Sequence, residues 1–146
     1  MPTNTDEQKI YIAFDFGMKR IGVAIGQMLT KTARPLDVIH AKNGIPNWTI
    51  VTQLIKKWAP NGLIVGIPLN MDGSQQPLSQ SAYQFANELK ERFSIPVHSV
   101  DERLTTKAAR EKLFTQGGYK ALQNGQVDSV AAQLILQNWF ADQIEK

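Results

Sequence analysis

Acidic side chains that end or begin apolar segments are the residues of this 146-residue chain whose type and position could support chemistry. The four acids of this kind are Asp15, Asp101, Glu102 and Asp128. A carboxylate beside a buried segment is costly unless it is paired, hydrogen-bonded or bound to a metal. These acids are therefore better candidates for a functional site than the remaining acids, which are expected on the solvated surface.

Each acidic segment also has an ordinary interpretation. Asp15 could form a turn by hydrogen bonding to the backbone of Gly17. Asp101 and Glu102 could form a polar loop with a local ion pair to Arg103. Asp128 could interact favourably with the dipole of the last helix, although the apolar residues that follow it at helical spacing indicate the core-facing side.

Taken together, the acids predict a metal site. Crowded carboxylates repel one another unless a cation compensates their charge. The chain contains no cysteine, and carboxylate oxygens select Mg²⁺ or Mn²⁺ rather than zinc. Two such ions could hold the attacking and leaving oxygens of a phosphodiester, with water as the nucleophile.

Basic side chains close to the acids could contact nucleic-acid phosphates. They are Lys19, Arg20, Arg103 and Lys107. Single lysines and arginines are more often merely solvated, and the net charge of +3 only permits a phosphate-bearing partner. The three tryptophans fall on predicted helices, where packing is their expected role.

Composition and length limit the class of protein. The length fits one domain covering residues 1–146, with residues 1–8 expected to be flexible. The absence of cysteine excludes disulfides and cysteine nucleophiles. The polar start has no apolar core of a signal peptide, and no run is long enough to span a bilayer. A cytoplasmic protein without a membrane partner is expected.

The elements that must position the acids follow from periodicity. Residues 10–16 and 21–25 predict a β-hairpin, and residues 34–41 a third, weaker strand of an antiparallel meander. Later strands are expected at 63–67 and 95–100, and helices at about 46–58, 78–89 and 105–116, followed by a final helix that contains the apolar positions of 127–135. The alternation predicts an α/β fold with a mixed sheet and helices on its faces.

The motifs, in this order, resemble the YqgF family, also called RuvX, which comprises nucleases similar to Holliday junction resolvases. The segments that carry the resemblance are 14–24, 65–73, 101–106, 116–119 and 127–132. Single motifs are weak, but the series is specific and covers nearly the whole chain. The resemblance implies an RNase H-like fold, a five-stranded mixed sheet with helices on both sides.

The resemblance also implies a role for the acids. Asp15, the acid after the later strand and Asp128 would form the catalytic metal site for Mg²⁺ or Mn²⁺. The motif leaves Asp101 and Glu102 open as the third ligand, and related resolvases favour Glu102. The implied function is maturation of the 5′ end of 16S ribosomal RNA by a hydrolase acting on phosphodiester bonds.

Other functions remain open at this point. A resolvase acting on branched DNA would require a symmetric dimer, and the sequence does not identify a dimer surface; monomer and homodimer are both open. A non-catalytic nucleic-acid-binding factor would not need the acids, which repel phosphate unless metals intervene. A phosphotransferase similar to sugar kinases would normally need two such domains.

Overall fold

The computed structural model describes residues 9–101 and 126–144. The strands β1 to β6 and helices α1 to α3 of these ranges, in chain order, are β1 (Ile10–Asp15), β2 (Arg20–Gln27), β3 (Thr32–Lys42), β4 (Ile45–Pro46), α1 (Trp48–Trp58), β5 (Gly62–Ile67), α2 (Pro77–Phe93), β6 (Val97–Asp101) and α3 (Gln126–Ile144). The helix expected at 105–116 lies outside the described residues.

The strands form one mixed sheet in the order β4-β3-β2-β1-β5-β6. The first three strands form the antiparallel meander that the sequence predicts. β5 and β6 continue the sheet parallel to β1, so the carboxyl ends of β1, β5 and β6 share one edge. Ligands of open α/β sheets gather at such edges. The fold class is therefore confirmed.

One detail of the prediction is wrong. The described part of the chain has six strands rather than five, because Ile45 and Pro46 pair with the end of β3 as the short strand β4. Pro46 was expected at the first helical position. The helix instead begins at Trp48, and the side chain of Asn47 accepts the amide hydrogen bond of Thr49 as its N-cap. Proline suits an edge strand because it has no amide to donate.

Alternation along the strands separates two hydrophobic clusters. On one face, Ile12 and Phe14 of β1 pack with buried residues of α1 and α2, such as Val51 and Phe85. On the other face, Tyr11 and Ala13 pack against α3. We call these the α1/α2 face and the α3 face of the sheet.

Small residues let α3 lie close to the sheet. A Cβ atom added at Gly26 of β2 would come within 3.0 Å of side chains on two turns of α3, those of Leu136 and Phe140. Ala131 and Ala132 at the other end of the helix are fully buried. The start of α3 is thereby held against the centre of the sheet, near the end of β1.

Candidate functional site at the carboxyl edge of the sheet

Asp15 is the last residue of β1 and its side chain belongs to the α3 face. Alternation from Tyr11 and Ala13, which pack under α3, gives Asp15 the same face. Asp15 is 8% exposed, so its carboxylate is largely removed from water. Burial of this kind requires compensating partners, as the sequence analysis expected.

Glycines flank Asp15 on both neighbouring strands. Asp15 is opposite Gly22 of β2 and Gly66 of β5. Adjacent strands lie about 4.8 Å apart, so any side chain at either position would stand directly beside the carboxylate. The two glycines leave the immediate surroundings of Asp15 without a side chain from β2 or β5. No local pattern in the sequence indicates this arrangement, because it depends on the strand register.

The beginning of α3 is fixed over the same region by Ser129. The Ser129 hydroxyl donates a hydrogen bond to the Leu36 carbonyl (2.7 Å) and accepts a longer one from the Val23 amide (3.4 Å). Val23 is opposite Phe14, the residue before Asp15. The backbone of Asp128 lies in the first turn of α3, directly before Ser129. Two predicted site residues, Asp15 and Asp128, thus belong to neighbouring backbone segments on one face of the sheet.

The helical positions that follow Asp128 support this placement. Ala131, Ala132 and Ile135, at three, four and seven residues beyond it, are all buried against the sheet. This is the apolar stripe that the sequence predicts. Gln133, on the same helix, donates a hydrogen bond to the carbonyl of Ala33 (2.8 Å) and adds a second polar link between α3 and β3.

Asp101 ends β6 at the same edge but on the other face. His98 contacts Trp139 of α3, with ring centroids 5.1 Å apart, and Val100 packs against the α3 cluster. Asp101 alternates with these residues, so it faces the α1/α2 side, where it is exposed. The structure therefore separates Asp101 from Asp15, although both end parallel strands at the same edge of the sheet, with β5 between them.

The other predicted residues divide into two groups. Lys19 and Arg20 are exposed in the turn after Asp15 and at the start of β2, next to the carboxyl edge. Glu102, Arg103 and Lys107 lie outside the described residues.

A divalent cation is chemically compatible with the part of the site that is described. Asp15 offers a hard oxygen ligand in a buried position flanked by glycines. Within residues 9–101 and 126–144, no cluster of three or more histidine or acidic side chains forms a complete metal site. Among the acids predicted for the metal site, Asp15 is thus the one candidate ligand whose side chain the structure describes in a buried position.

The loop between β5 and α2 also follows the carboxyl edge. Asp72 accepts hydrogen bonds from the amide (2.9 Å) and hydroxyl (2.6 Å) of Ser74, and the Asn70 side chain donates to the same hydroxyl (3.0 Å). Gly73 has a positive φ of 90°, which suits glycine. The loop is thus ordered by its own side chains while Met71 stays 84% exposed at its tip.

Known protein families match the chain over most of its length. A family model described as "RuvX: Holliday junction resolvase" matches residues 9–142. A protein of Haemophilus ducreyi named "Putative pre-16S rRNA nuclease" is 53% identical over 129 residues, covering 88% of this chain and 94% of that protein. A protein of the same name from Escherichia coli K12 is 54% identical with the same coverage.

Solved structures share the fold at low sequence identity. Thermus thermophilus RuvC in complex with a Holliday junction substrate has a TM-score of 0.56 at 15% identity, covering 94% of this chain and 96% of that chain. The fowlpox virus Holliday junction resolvase has a TM-score of 0.54 at 16% identity, covering 92% and 99%. These likenesses show the RNase H-like fold predicted from the sequence.

Proposed function

The chain belongs to the RuvX family, and on that premise we propose that it is a metal-dependent nuclease that processes the 5′ end of precursor 16S ribosomal RNA. The names of relatives that are more than 50% identical over about nine tenths of the chain support this substrate. We expect the chain to act as one domain in the cytoplasm, where such precursors are processed.

The single observation that carries the proposal is that Asp15 and the first turn of α3 lie on the same face of the sheet, near the end of β1. Asp15 is buried on the α3 face, and Ser129 holds the first turn of α3 beside the strand pair that contains Asp15. Asp128 belongs to that first turn. The backbone segments that contain these two acids, 113 positions apart in the sequence, therefore lie on one side of one sheet edge, which supports the proposal of a shared cation.

We assign the third carboxylate to Glu102 rather than Asp101. The placement of Asp101 on the α1/α2 face argues against a ligand shared with Asp15. Glu102 is the remaining acid of that segment. The assignment agrees with the glutamate that related resolvases carry at the equivalent point.

In the proposed reaction, the metal ion and the side chains would have different roles. When bound, Mg²⁺ or Mn²⁺ would supply Lewis-acid activation of the attacking water and stabilise the leaving oxygen. Asp15, Glu102 and Asp128 would hold the ion, and Gly22 and Gly66 would leave room for a phosphate beside Asp15. Lys19 and Arg20 at the same edge would bind neighbouring phosphates, and Arg103 and Lys107 could extend this contact.

A cleavage assay with two substrates tests the proposal. The purified protein is incubated with precursor 16S RNA or a four-way DNA junction, in Mn²⁺, Mg²⁺ or chelator. We expect the wild type to cleave RNA only when a metal is present. Asp15→Asn should lower the cleavage rate by more than roughly 10- to 100-fold, the loss typical of residues that only support a metal ligand. Asp37→Asn is the matched control, because Asp37 is an exposed acid of β3.

The outcomes separate the competing functions. Cleavage of the DNA junction but not of RNA would favour a resolvase and replace the proposed substrate. Binding of RNA without cleavage in any metal would favour a non-catalytic binding factor. Equal cleavage by Asp15→Asn and the wild type would overturn the metal site itself.

A further inference from the structure

A cleft lies at the opposite end of the sheet from Asp15, between the end of α1 and the first three strands. Its volume is about 510 Å³, within the range of sites that bind small molecules or single groups of a larger ligand. Its lining includes Ile10, Ile25, Gln27, Thr32, Arg34 and Trp58. The cleft shares no lining residue with the candidate catalytic site.

The walls of the cleft combine the two features that a nucleotide needs. Ile10, Ile25 and the half-buried ring of Trp58 form an apolar side. Gln27 and Thr32 provide exposed hydrogen-bonding groups beside it. A planar base can lie against the apolar side while its edge reaches the polar groups, since stacking on aromatic rings tolerates every base.

Two positively charged side chains lie close to the Trp58 ring. The guanidinium carbon of Arg34 lies 5.5 Å from the ring centroid, and the ammonium nitrogen of Lys57 lies 5.2 Å from it. In the part of the chain that the structure describes, no carboxylate pairs with either cation. Lys56 next to them is also exposed, so this end of α1 is positively charged.

A second tryptophan of the chain, Trp48, has different surroundings. Arg92 lies over the ring of Trp48, 4.0 Å from its centroid, and it is also paired with Glu88 at 3.3 Å. The charge of Arg92 is thus balanced by that of Glu88, and the Trp48 ring stacks on Phe85 of the core. Among the described residues, Trp58 differs because two cations lie near its ring without a paired acid and because the ring borders an open cleft.

We propose that this cleft binds one nucleotide of single-stranded RNA, with its base against Trp58 and its phosphates between Arg34 and Lys57. The identification of the ligand as RNA rests on the proposed function, whereas the cleft's own chemistry favours a planar ring joined to a negatively charged group. Charge complementarity favours a polynucleotide, because adjoining phosphates can contact both cations at once.

The position of the cleft indicates what it would recognise. Ile10 at the cleft and Asp15 at the catalytic edge are the two ends of β1, about 17 Å apart, and they lie on opposite faces of the sheet. The cleft cannot hold the scissile phosphate. It would bind RNA several nucleotides away from the cut and so help to select single-stranded flanking sequence.

A fluorescence titration tests contact with Trp58 directly. The double variant Trp48→Phe, Trp139→Phe leaves Trp58 as the only tryptophan, and its fold is checked by circular dichroism. It is titrated with an oligouridine in chelator, so that cleavage plays no part. We expect saturable quenching of Trp58. Binding of the RNA without any change in Trp58 emission would overturn the proposal.

A charge-matched pair of variants tests the cations. Arg34→Ala, Lys57→Ala removes the cleft charges, and Lys90→Ala, Arg92→Ala removes two exposed charges at the end of α2. We expect the cleft variant to bind oligouridine on the order of tenfold more weakly, a loss comparable to one stacking or phosphate contact. The slope of log affinity against log salt should fall by about 1.4, since each phosphate contact on a single strand contributes about 0.7.

The control decides whether that loss is specific. An equal loss in the α2 variant would mean that net charge alone binds the RNA, and the proposal would fail. The Asp15→Asn cleavage assay is independent of both titrations. Cleavage of precursor RNA by a protein whose cleft does not bind RNA would therefore refute only the proposal for the cleft. RNA binding in the cleft without cleavage in any metal would refute only the proposed nuclease function.

Discussion

The Ser129 hydroxyl in α3 donates a 2.7 Å hydrogen bond to the carbonyl of Leu36 in β3, 93 residues earlier in the chain. The pairing of β2 with β3 shifts register beside this point, between Ile21 and Val23. Such an irregularity disturbs the hydrogen bonds between the two strands. A buried hydroxyl can then bind the backbone amide and carbonyl groups that have no partner on the other strand. Ser129 thus connects a sheet irregularity to the helix turn that contains Asp128.

Replacement of Ser129 by alanine should therefore affect both stability and activity. The change leaves the Leu36 carbonyl without this partner in a partly buried position, which costs about 1–3 kcal/mol. Urea denaturation measures this loss. Because the first turn of α3 would be held less firmly, we also expect a lower kcat and a higher Mn²⁺ requirement. Ser99→Ala, at an exposed position of β6, is the control. Normal Mn²⁺ dependence in Ser129→Ala would show that Ser129 is only structural.

Substitution of Gly66 by alanine should weaken metal binding with the fold retained. Gly66 is opposite Asp15 in the parallel pair, so the new methyl group would stand beside the carboxylate. We expect Mn²⁺ affinity to fall by about tenfold or more, as happens when the surroundings of a metal ligand are disturbed. Isothermal titration calorimetry measures the affinity, and thermal denaturation checks the fold. A folded variant with unchanged Mn²⁺ affinity would contradict the role given to the glycine pair.

Asp101 and Glu102 should respond differently to removal of their charge. Asp101 faces the α1/α2 side, so Asp101→Asn should keep most of the RNA cleavage. Glu102→Gln should abolish cleavage and lower Mn²⁺ affinity, since it would remove the charge of the proposed ligand. Initial rates over a series of Mn²⁺ concentrations compare the two variants. The opposite ranking would assign the ligand to Asp101 and refute the inference from strand alternation.

Two helix ends offer a stability prediction that is independent of function. Ala59 and Ser94 end α1 and α2 in the left-handed conformation, with φ of 45° and 55°. Non-glycine residues are strained there, whereas glycine is the usual residue at such helix ends. Each change to glycine should raise the free energy of unfolding by about 0.5–1 kcal/mol after the entropy cost of glycine is subtracted. Urea midpoints that fall in both variants would show that the left-handed strain is smaller than this entropy cost.

Local periodicity was sufficient to predict the strands and helices of the described residues, with the exception of β4. The continuous apolar run of β5 and the helical spacing of the apolar residues in α2 are visible in the sequence because both depend on neighbours within a few residues. The extra strand was missed because β4 has only two residues, and its existence depends on pairing with the end of β3. So short a strand leaves no periodic signal.

The candidate site, like the fold, depends partly on local sequence and partly on contacts between distant segments. The sequence alone determined which residue types could bind a metal, since Asp15 and Asp128 adjoin apolar segments whose burial makes an isolated charge costly. It could not determine which acids share a face of the sheet, because that depends on strand register and on the element packed above. Only the tertiary structure placed Asp15 beneath the start of α3, between two glycines, and turned Asp101 to the opposite side. Hydrogen bonds and packing between distant segments, such as Ser129 with Leu36, make that choice, and no local pattern of residues encodes it.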